Sequence, residues 1–234
     1  MSVGTGFYNA AVPPDDHPIL RSSALTLGEF IDRLASAEPV PGGGSASAVA
    51  ASLAAGLVAM VAGLSAGRPK YAAHGALHER AIIAGQRLAT RFLELSDADA
   101  AAYAGFAAAL KLPRDTDQEQ TTRRSALQAA ARVASEIPLQ TVEACLELVV
   151  TAESLVGRSN TNAASDLNVA ALLGEAAGRG AAENVLVNLP SVDDEAYSSA
   201  TTARVMGLLD DIRDFAAATH EGVRSGESRE PLPE

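Results

Sequence analysis

Tryptophan is absent from this 234-residue chain, cysteine occurs once, and aromatic residues make up only 4% of it. A single thiol, Cys145, excludes an intrachain disulfide and a cysteine-rich zinc cluster. Cys145 stands inside an apolar helical pattern and reads as a small buried hydrophobe. With few large rings to fill a core, the alanine-rich apolar content, 47% of the residues, requires helices that approach one another closely.

Basic residues are also scarce. Lys and Arg number 18 against 29 Asp and Glu, for a net charge of −11. That balance argues against non-specific nucleic-acid binding and against anionic membrane surfaces, both of which need Lys and Arg facing phosphates. It leaves room for a small anionic ligand, which needs only a local basic spot. No stretch alternates apolar and polar residues for more than a few positions, so sheets are not expected. Residues 1–20 lack a charged start followed by an apolar run. They do not read as a signal peptide, and the expected location is the cytoplasm.

What is present is helical. The expectation is an all-α bundle of about seven helices around a long buried central helix. Residues 1–24 read as an extended arm, 25–222 as one helical domain, and 223–234 as a disordered tail. Thr26–Glu29, "TLGE", is a capping box that starts a helix running to about Ala37. The central helix starts at Ser45 and stops near Gly67 and Pro69. A third runs from about Ala76 to Leu112, with a possible break at Ser96. Others cover about 117–135, 138–155 (Pro138 separating these two), 166–187 and 193–220. The stretch from Ser45 to Leu64 carries no charge and is long enough to span a bilayer. Its large apolar residues are a minority among Ala, Ser and Gly, so it reads as a helix surrounded by helices.

Three stretches concentrate chemistry. The first is "PGGGS", Pro41, Gly42, Gly43, Gly44 and Ser45. It fits neither a Walker loop nor a dinucleotide fingerprint. Its glycines let backbone approach a ligand, Ser45 can cap the helix, and free N–H groups of the first turn favour an anion or a carbonyl. The second is "SDADAAAY", with Asp97 and Asp99. Asp99 shares a helix face with Phe92, Tyr103, Phe106 and Leu110, and Asp97 lies on another face. A carboxyl held against such surfaces has a raised pKa and suits acid–base work. The third is "NTNAASD", with Asn160, Asn162, Ser165 and Asp166, ahead of a stripe that ends on Asn184 and Asn188. Asp166 and Asn184 lie about 27 Å apart along one helix. They reach one ligand only if subunits pair antiparallel along that stripe.

Other motifs are weaker. His74 and His78 have a metal-like spacing but no third ligand nearby, and read as a solvated or capping pair. Ser65 in "GLSAG" lies in a helix and not on a nucleophile elbow. Arg68 and Lys70 in "GRPKY" are a basic pair able to hold a carboxylate.

Taken together, "PVPGGGSASA", "GRPKY", "DADAAAY" with "LP" following, "SNTNAASDLNVAA" and "NVLVNL" resemble the methenyltetrahydrofolate cyclohydrolase and formiminotransferase-cyclodeaminase family, in its cyclodeaminase–cyclohydrolase domain. The likeness spans about residues 25 to 215. Ser159 departs from it, standing where the family pattern often has glycine. The resemblance implies a dimerising all-α bundle, a homodimer with a folate site near the subunit contact. It implies one of two reactions: hydrolysis of 5,10-methenyltetrahydrofolate to 10-formyltetrahydrofolate, or ammonia loss from 5-formiminotetrahydrofolate. It makes Asp97 or Asp99 the catalytic candidate. The glycine neck and the Asn/Ser/Asp loop would hold the pterin, and Arg68 and Lys70 the glutamate tail. No metal or redox cofactor is implied. Cyclohydrolase is preferred because the chain shows no formimino-transferring domain. A non-catalytic folate-binding module is the alternative outside enzymes.

Overall fold

The computed structural model describes residues 21–233. All regular structure among them is helical. In chain order the α-helices are α1 (Leu27–Leu34), α2 (Gly43–Ser65), α3 (Gly75–Leu110), α4 (Asp117–Leu155), α5 (Ala164–Asn188) and α6 (Glu195–Ser225).

The described residues thus hold six α-helices, one fewer than expected, because what reads as two helices around Pro138 is one. Proline interrupts a helix by removing an N–H and crowding the carbonyl four residues back. Here Pro138 is buried, α4 runs through it, and the deprived carbonyl of Ala134 accepts instead from the Asn188 amide on α5 at 2.9 Å. Ser96 interrupts nothing, since it is buried inside an unbroken α3. α1 starts at the expected capping box: Glu29 N–H donates to Thr26 Oγ1 at 3.2 Å and Thr26 N–H to Glu29 Oε2 at 2.7 Å. A second capping box, Thr116 and Glu119, opens α4.

α2 packs against α3 on one side and α5 on the other, and also touches α4. Its small residues permit the approach. A methyl group on Gly85 of α3 would lie 2.8 Å from the Ala55 carbonyl oxygen and 2.9 Å from the Ala59 Cβ. Its buried face runs through Ala48, Ala51, Ala55, Val58 and Ala62. The helix is not buried all round, however: Leu53, Met60 and Leu64 are 54%, 42% and 40% exposed, an apolar stripe facing outward. Cys145 lies in the core as expected, and burial pushes its thiol up to about 12.

Most of the arm, residues 1–20, lies outside the described residues. Ser22–Ala24 form a short 3₁₀ turn on α3, where the Ser22 N–H donates to Asp97 Oδ1 and the Ser22 and Ser96 hydroxyls meet at 2.7 Å. At the other end α6 continues to Ser225, and the stretch expected to be disordered folds back. Arg229 N–H donates to the Gly157 carbonyl at 3.0 Å, and Arg158 Nε to the Glu230 carbonyl at 2.6 Å. A polar, proline-bearing tail looks unstructured by composition. What orders it is a pair of specific partners on the α4–α5 connection, where Gly157 has φ 70°.

Of the histidine pair, His78 is not solvated, and His74 is half-buried at the N-cap position of α3 without a side-chain capping bond. His78 is fully buried with Nε2 2.8 Å from the Arg158 carbonyl oxygen. Burial holds the His74 imidazole below its usual pKa, aided by His78 and Arg158.

Candidate functional site

A cavity of about 1100 Å³ opens at the end of the bundle where α2 begins. The segment Pro39–Gly44 forms one wall, the C-terminal third of α3 the floor, the first half of α4 the opposite wall, and the end of α5 the remaining side.

Asp99 is the ionisable group at the floor. Ser45 Oγ donates to its Oδ2 at 2.9 Å and also lies 3.2 Å from the Ser96 carbonyl oxygen. Ser45 is therefore not the cap of α2. The helix begins two residues earlier, at Gly43 with Gly42 as N-cap, which leaves the serine hydroxyl free to hold the acid. Gly44 explains the glycine neck. A Cβ there would fall 2.3 Å from Asp99 Oδ1 and 2.6 Å from its Cγ, so the carboxyl rests directly on the α2 backbone. Burial pushes the Asp99 carboxyl above the usual carboxylate range, and the Ser45 hydroxyl and backbone N–H pull the other way. The result is an acid facing a half-apolar cavity with a raised affinity for its proton, the condition a general acid–base group needs near neutral pH.

The two aspartates left open by the sequence occupy different places. Asp99 lines the cavity with Tyr103, Phe106 and Leu110 from the same helix face. Asp97 accepts from the Ser22 N–H and anchors the N-terminal segment. Phe92, on the same stripe as Asp99, lies in the core.

The remaining candidates split between the two ends of the bundle. Gly42, Gly43, Gly44, Asn184 and Asn188 line the cavity, and Pro41 sits in the segment that forms its wall. Asn184 Nδ2 donates to the Gly180 carbonyl at 2.8 Å, and Asn188 Nδ2 to the carbonyls of Asn184 and Ala134. Arg68, Lys70, Asn160, Asn162, Ser165 and Asp166 lie at the far end, about 30 Å away along α2 at 1.5 Å per residue. There Ser65 Oγ accepts from the Asn160 N–H at 2.8 Å and donates to the Val61 carbonyl at 2.7 Å. Asn160 Oδ1 accepts from the Asn162 N–H at 3.1 Å. Ser65 is a buried joint between α2 and this loop. Ser159, close by and buried, does not adopt the left-handed backbone that would favour glycine.

Residues 26–206 match the family model described as formiminotransferase-cyclodeaminase. The chain belongs to that family. It is 33% identical over 200 residues to the methenyltetrahydrofolate cyclohydrolase of Methylorubrum extorquens, covering 86% of this chain and 96% of that protein. It is 33% identical over 204 residues to the formimidoyltransferase-cyclodeaminase of Rattus norvegicus, where the match takes up 38% of the rat protein. The crystal structure of formiminotetrahydrofolate cyclodeaminase from Thermotoga maritima matches with a TM-score of 0.79 at 26% identity, over 87% of this chain and 98% of that one.

In this member of the formiminotransferase-cyclodeaminase family, the cavity also contains residues that motif reading passed over. Arg114, Gln120, Arg123, Arg124 and Gln128 come from the start of α4 and the loop before it, and Asp193 follows α5. A signal for the α4 group was present: residues 120, 124, 127 and 128 fall on one stripe by steps of three and four, just after a capping box. Asp193 carried no such signal. It is the one non-glycine described residue with positive φ, at 55°, and its Oδ2 accepts from Gln128 Nε2 at 2.9 Å.

Proposed function

We propose that this chain is a folate one-carbon enzyme of the cytoplasm that hydrolyses 5,10-methenyltetrahydrofolate to 10-formyltetrahydrofolate, reversibly, with Asp99 as its acid–base group. The observation that carries the reading is the placement of Asp99: its carboxyl rests on Gly44, is held by Ser45 and faces a cavity large enough for a folate. The cyclohydrolase of Methylorubrum extorquens, matched over nearly its whole length, supports the choice of reaction.

The chemistry follows from the residues. The methenyl bridge is an amidinium cation, electrophilic at carbon. The Asp99 carboxylate beside it offsets the positive charge and takes a proton from water as the water oxygen bonds to that carbon. The proton then passes to N5 as the N5–carbon bond breaks. The hydroxyl proton leaves, and the formyl group stays on N10. Water is the only co-substrate, and the net products are 10-formyltetrahydrofolate and one proton.

Cyclodeamination of 5-formiminotetrahydrofolate is the second reading. It is favoured by the fold match to the Thermotoga maritima cyclodeaminase, also over nearly its whole length. There N10 attacks the formimino carbon, and Asp99 in its acid form supplies a proton to the departing ammonia.

The functional unit in this proposal is a homodimer. α2 and α5 run antiparallel, with Gly43 beside Asn184 and Ser65 beside Asn160. Pairing two copies antiparallel along the exposed stripe of Leu53, Met60 and Leu64 sets the far-end polar loop of one copy beside the cavity of the other.

The test is the near-ultraviolet absorbance of methenyltetrahydrofolate, followed where spontaneous hydrolysis is slow. Accelerated loss is expected, cut about a hundredfold or more in Asp99→Asn and close to unchanged in Asp97→Asn. Full activity in Asp99→Asn overturns the assignment. Growth of the same band from the formimino substrate, with no hydrolysis, selects the second reading.

A further inference from the structure

The mouth of the cavity differs chemically from its floor. Arg114 in the α3–α4 loop and Arg123 and Arg124 on α4 all line it. The chain carries a net charge of −11, and several arginines elsewhere find carboxylates, as Arg87, Arg132 and Arg179 do with Glu147, Asp194 and Glu175. Among the described residues none of these three is in an ion pair. Asp193, the acid in the lining besides Asp99, is engaged by Gln128. Arg123 is held in place: its Nε and Nη2 donate to the Leu110 carbonyl at 3.4 and 3.2 Å, at the C-terminal end of α3.

That anchor fixes the spacing. Leu110 lies about 16 Å from Asp99 along α3 at 1.5 Å per residue. Tyr103 and Phe106 form the wall between them. The cavity therefore presents an acid at one end, aromatic rings in the middle and uncompensated guanidinium groups at the other. 5,10-Methenyltetrahydrofolate has the same order of parts: a cationic one-carbon bridge, a benzoyl ring, and a glutamate bearing carboxylates. Guanidinium forks match carboxylates in planar, charge-assisted pairs.

We propose that Arg114, Arg123 and Arg124 are the subsite for the glutamate carboxylates of the folate, in place of Arg68 and Lys70. The assignment rests on the folate reading given above. It accounts for three arginines, none of them ion-paired among the described residues, gathered around one opening.

The test measures binding, not turnover. The full chain is titrated calorimetrically with 5-formyltetrahydrofolate and with its glutamate-free counterpart, 5-formyltetrahydropteroate. Wild type is expected to prefer the first by roughly 10- to 100-fold, the scale of charged hydrogen bonds, and the margin should shrink with added salt. Arg114→Ala/Arg124→Ala, which keeps the Arg123 anchor, is expected to bring the two ligands within a few-fold of each other. If its helical circular dichroism is lost, Arg114→Gln/Arg124→Gln makes the same comparison. Equal binding of the two ligands by wild type, binding of neither, or an undiminished margin in the folded double variant overturns the proposal. So does a margin that collapses in Arg68→Ala/Lys70→Ala instead. A chain that binds with the expected margin yet hydrolyses no methenyltetrahydrofolate overturns the proposed reaction and leaves the subsite standing.

Discussion

The side-chain amide of Asn188 donates to the carbonyl oxygen of Ala134 across the α4–α5 contact, at 2.9 Å. Ala134 is the residue whose helical donor would be position 138, and proline there has none. One residue at the end of α5 thus repairs the defect that lets α4 run the full length of the bundle, and both Ala134 and Asn188 line the cavity. Asn188→Ala is expected to cost about 1–3 kcal/mol by leaving that carbonyl unpaired. In a Pro138→Ala background the new N–H reaches Ala134, and the cost of Asn188→Ala should fall by about 1 kcal/mol. Urea denaturation of the four variants of the cycle measures the coupling. Strict additivity would show that the bond is incidental.

Gly44→Ala tests the seat of Asp99. The added methyl would meet the carboxyl at 2.3 Å from Oδ1, so the acid must leave its place or the helix must shift. Turnover is expected to fall to about the level of Asp99→Asn, roughly a hundredfold below wild type. Adding Asp99→Ala to Gly44→Ala should restore thermal stability but not activity. A Gly44→Ala protein with wild-type turnover would mean that Asp99 works from another position.

The pH dependence of stability reports on the same carboxyl. Burial raises the Asp99 pKa in the folded protein above its value in the unfolded chain. Between the two values the folded state binds more protons, so stability falls as pH rises through that window. Asp99→Asn is therefore expected to be more stable than wild type at neutral pH, with an advantage that shrinks on acidification and vanishes near the ordinary carboxylate pKa of about 4. The acid limb of kcat/KM should likewise lie above that value. Parallel stability curves for the two proteins would remove the basis for a raised pKa.

Leu53→Glu places a charge in the middle of the outward apolar stripe of α2, at a position 54% exposed in the single chain. On a free surface it is harmless, within about 0.5 kcal/mol. At a two-fold contact it buries two like charges against each other. Sedimentation equilibrium is expected to show a dimer for wild type and a monomer for the variant, with activity lost alongside. A monomeric wild type of full activity would remove the partner from the site.

The helices were legible because their signals are local: the Thr26–Glu29 box, the stop at Gly67 and Pro69, and the alanine-rich run between. Pro138 misled because its remedy, Asn188, is fifty residues away and on another helix. The glycine neck and the aspartate stretch were both recognisable as chemical, yet their relationship was not. Gly44 and Asp99 meet only after α2 and α3 pack side by side. Ser45 was read as a cap because serine before a helix usually is one, and a register difference of two residues turned it into a partner for Asp99. Arg123 and Arg124 belong to no motif that sequence reading singles out. What distinguishes them is their place around the cavity together with Arg114, which appears only once α3, α4 and α5 are packed.

The contact between Gly44 and Asp99 also constrains the order in which such a site can arise. With any side chain at 44, an acid at 99 has nowhere to settle, so gaining the acid first brings no catalyst. With glycine at 44 and a small neutral residue at 99, the bundle carries only a small gap. The passable route loses the side chain first and gains the carboxylate second, and the way back reverses it. Homologues that lack the acid but keep the glycine would therefore be the ones a single substitution away from chemistry.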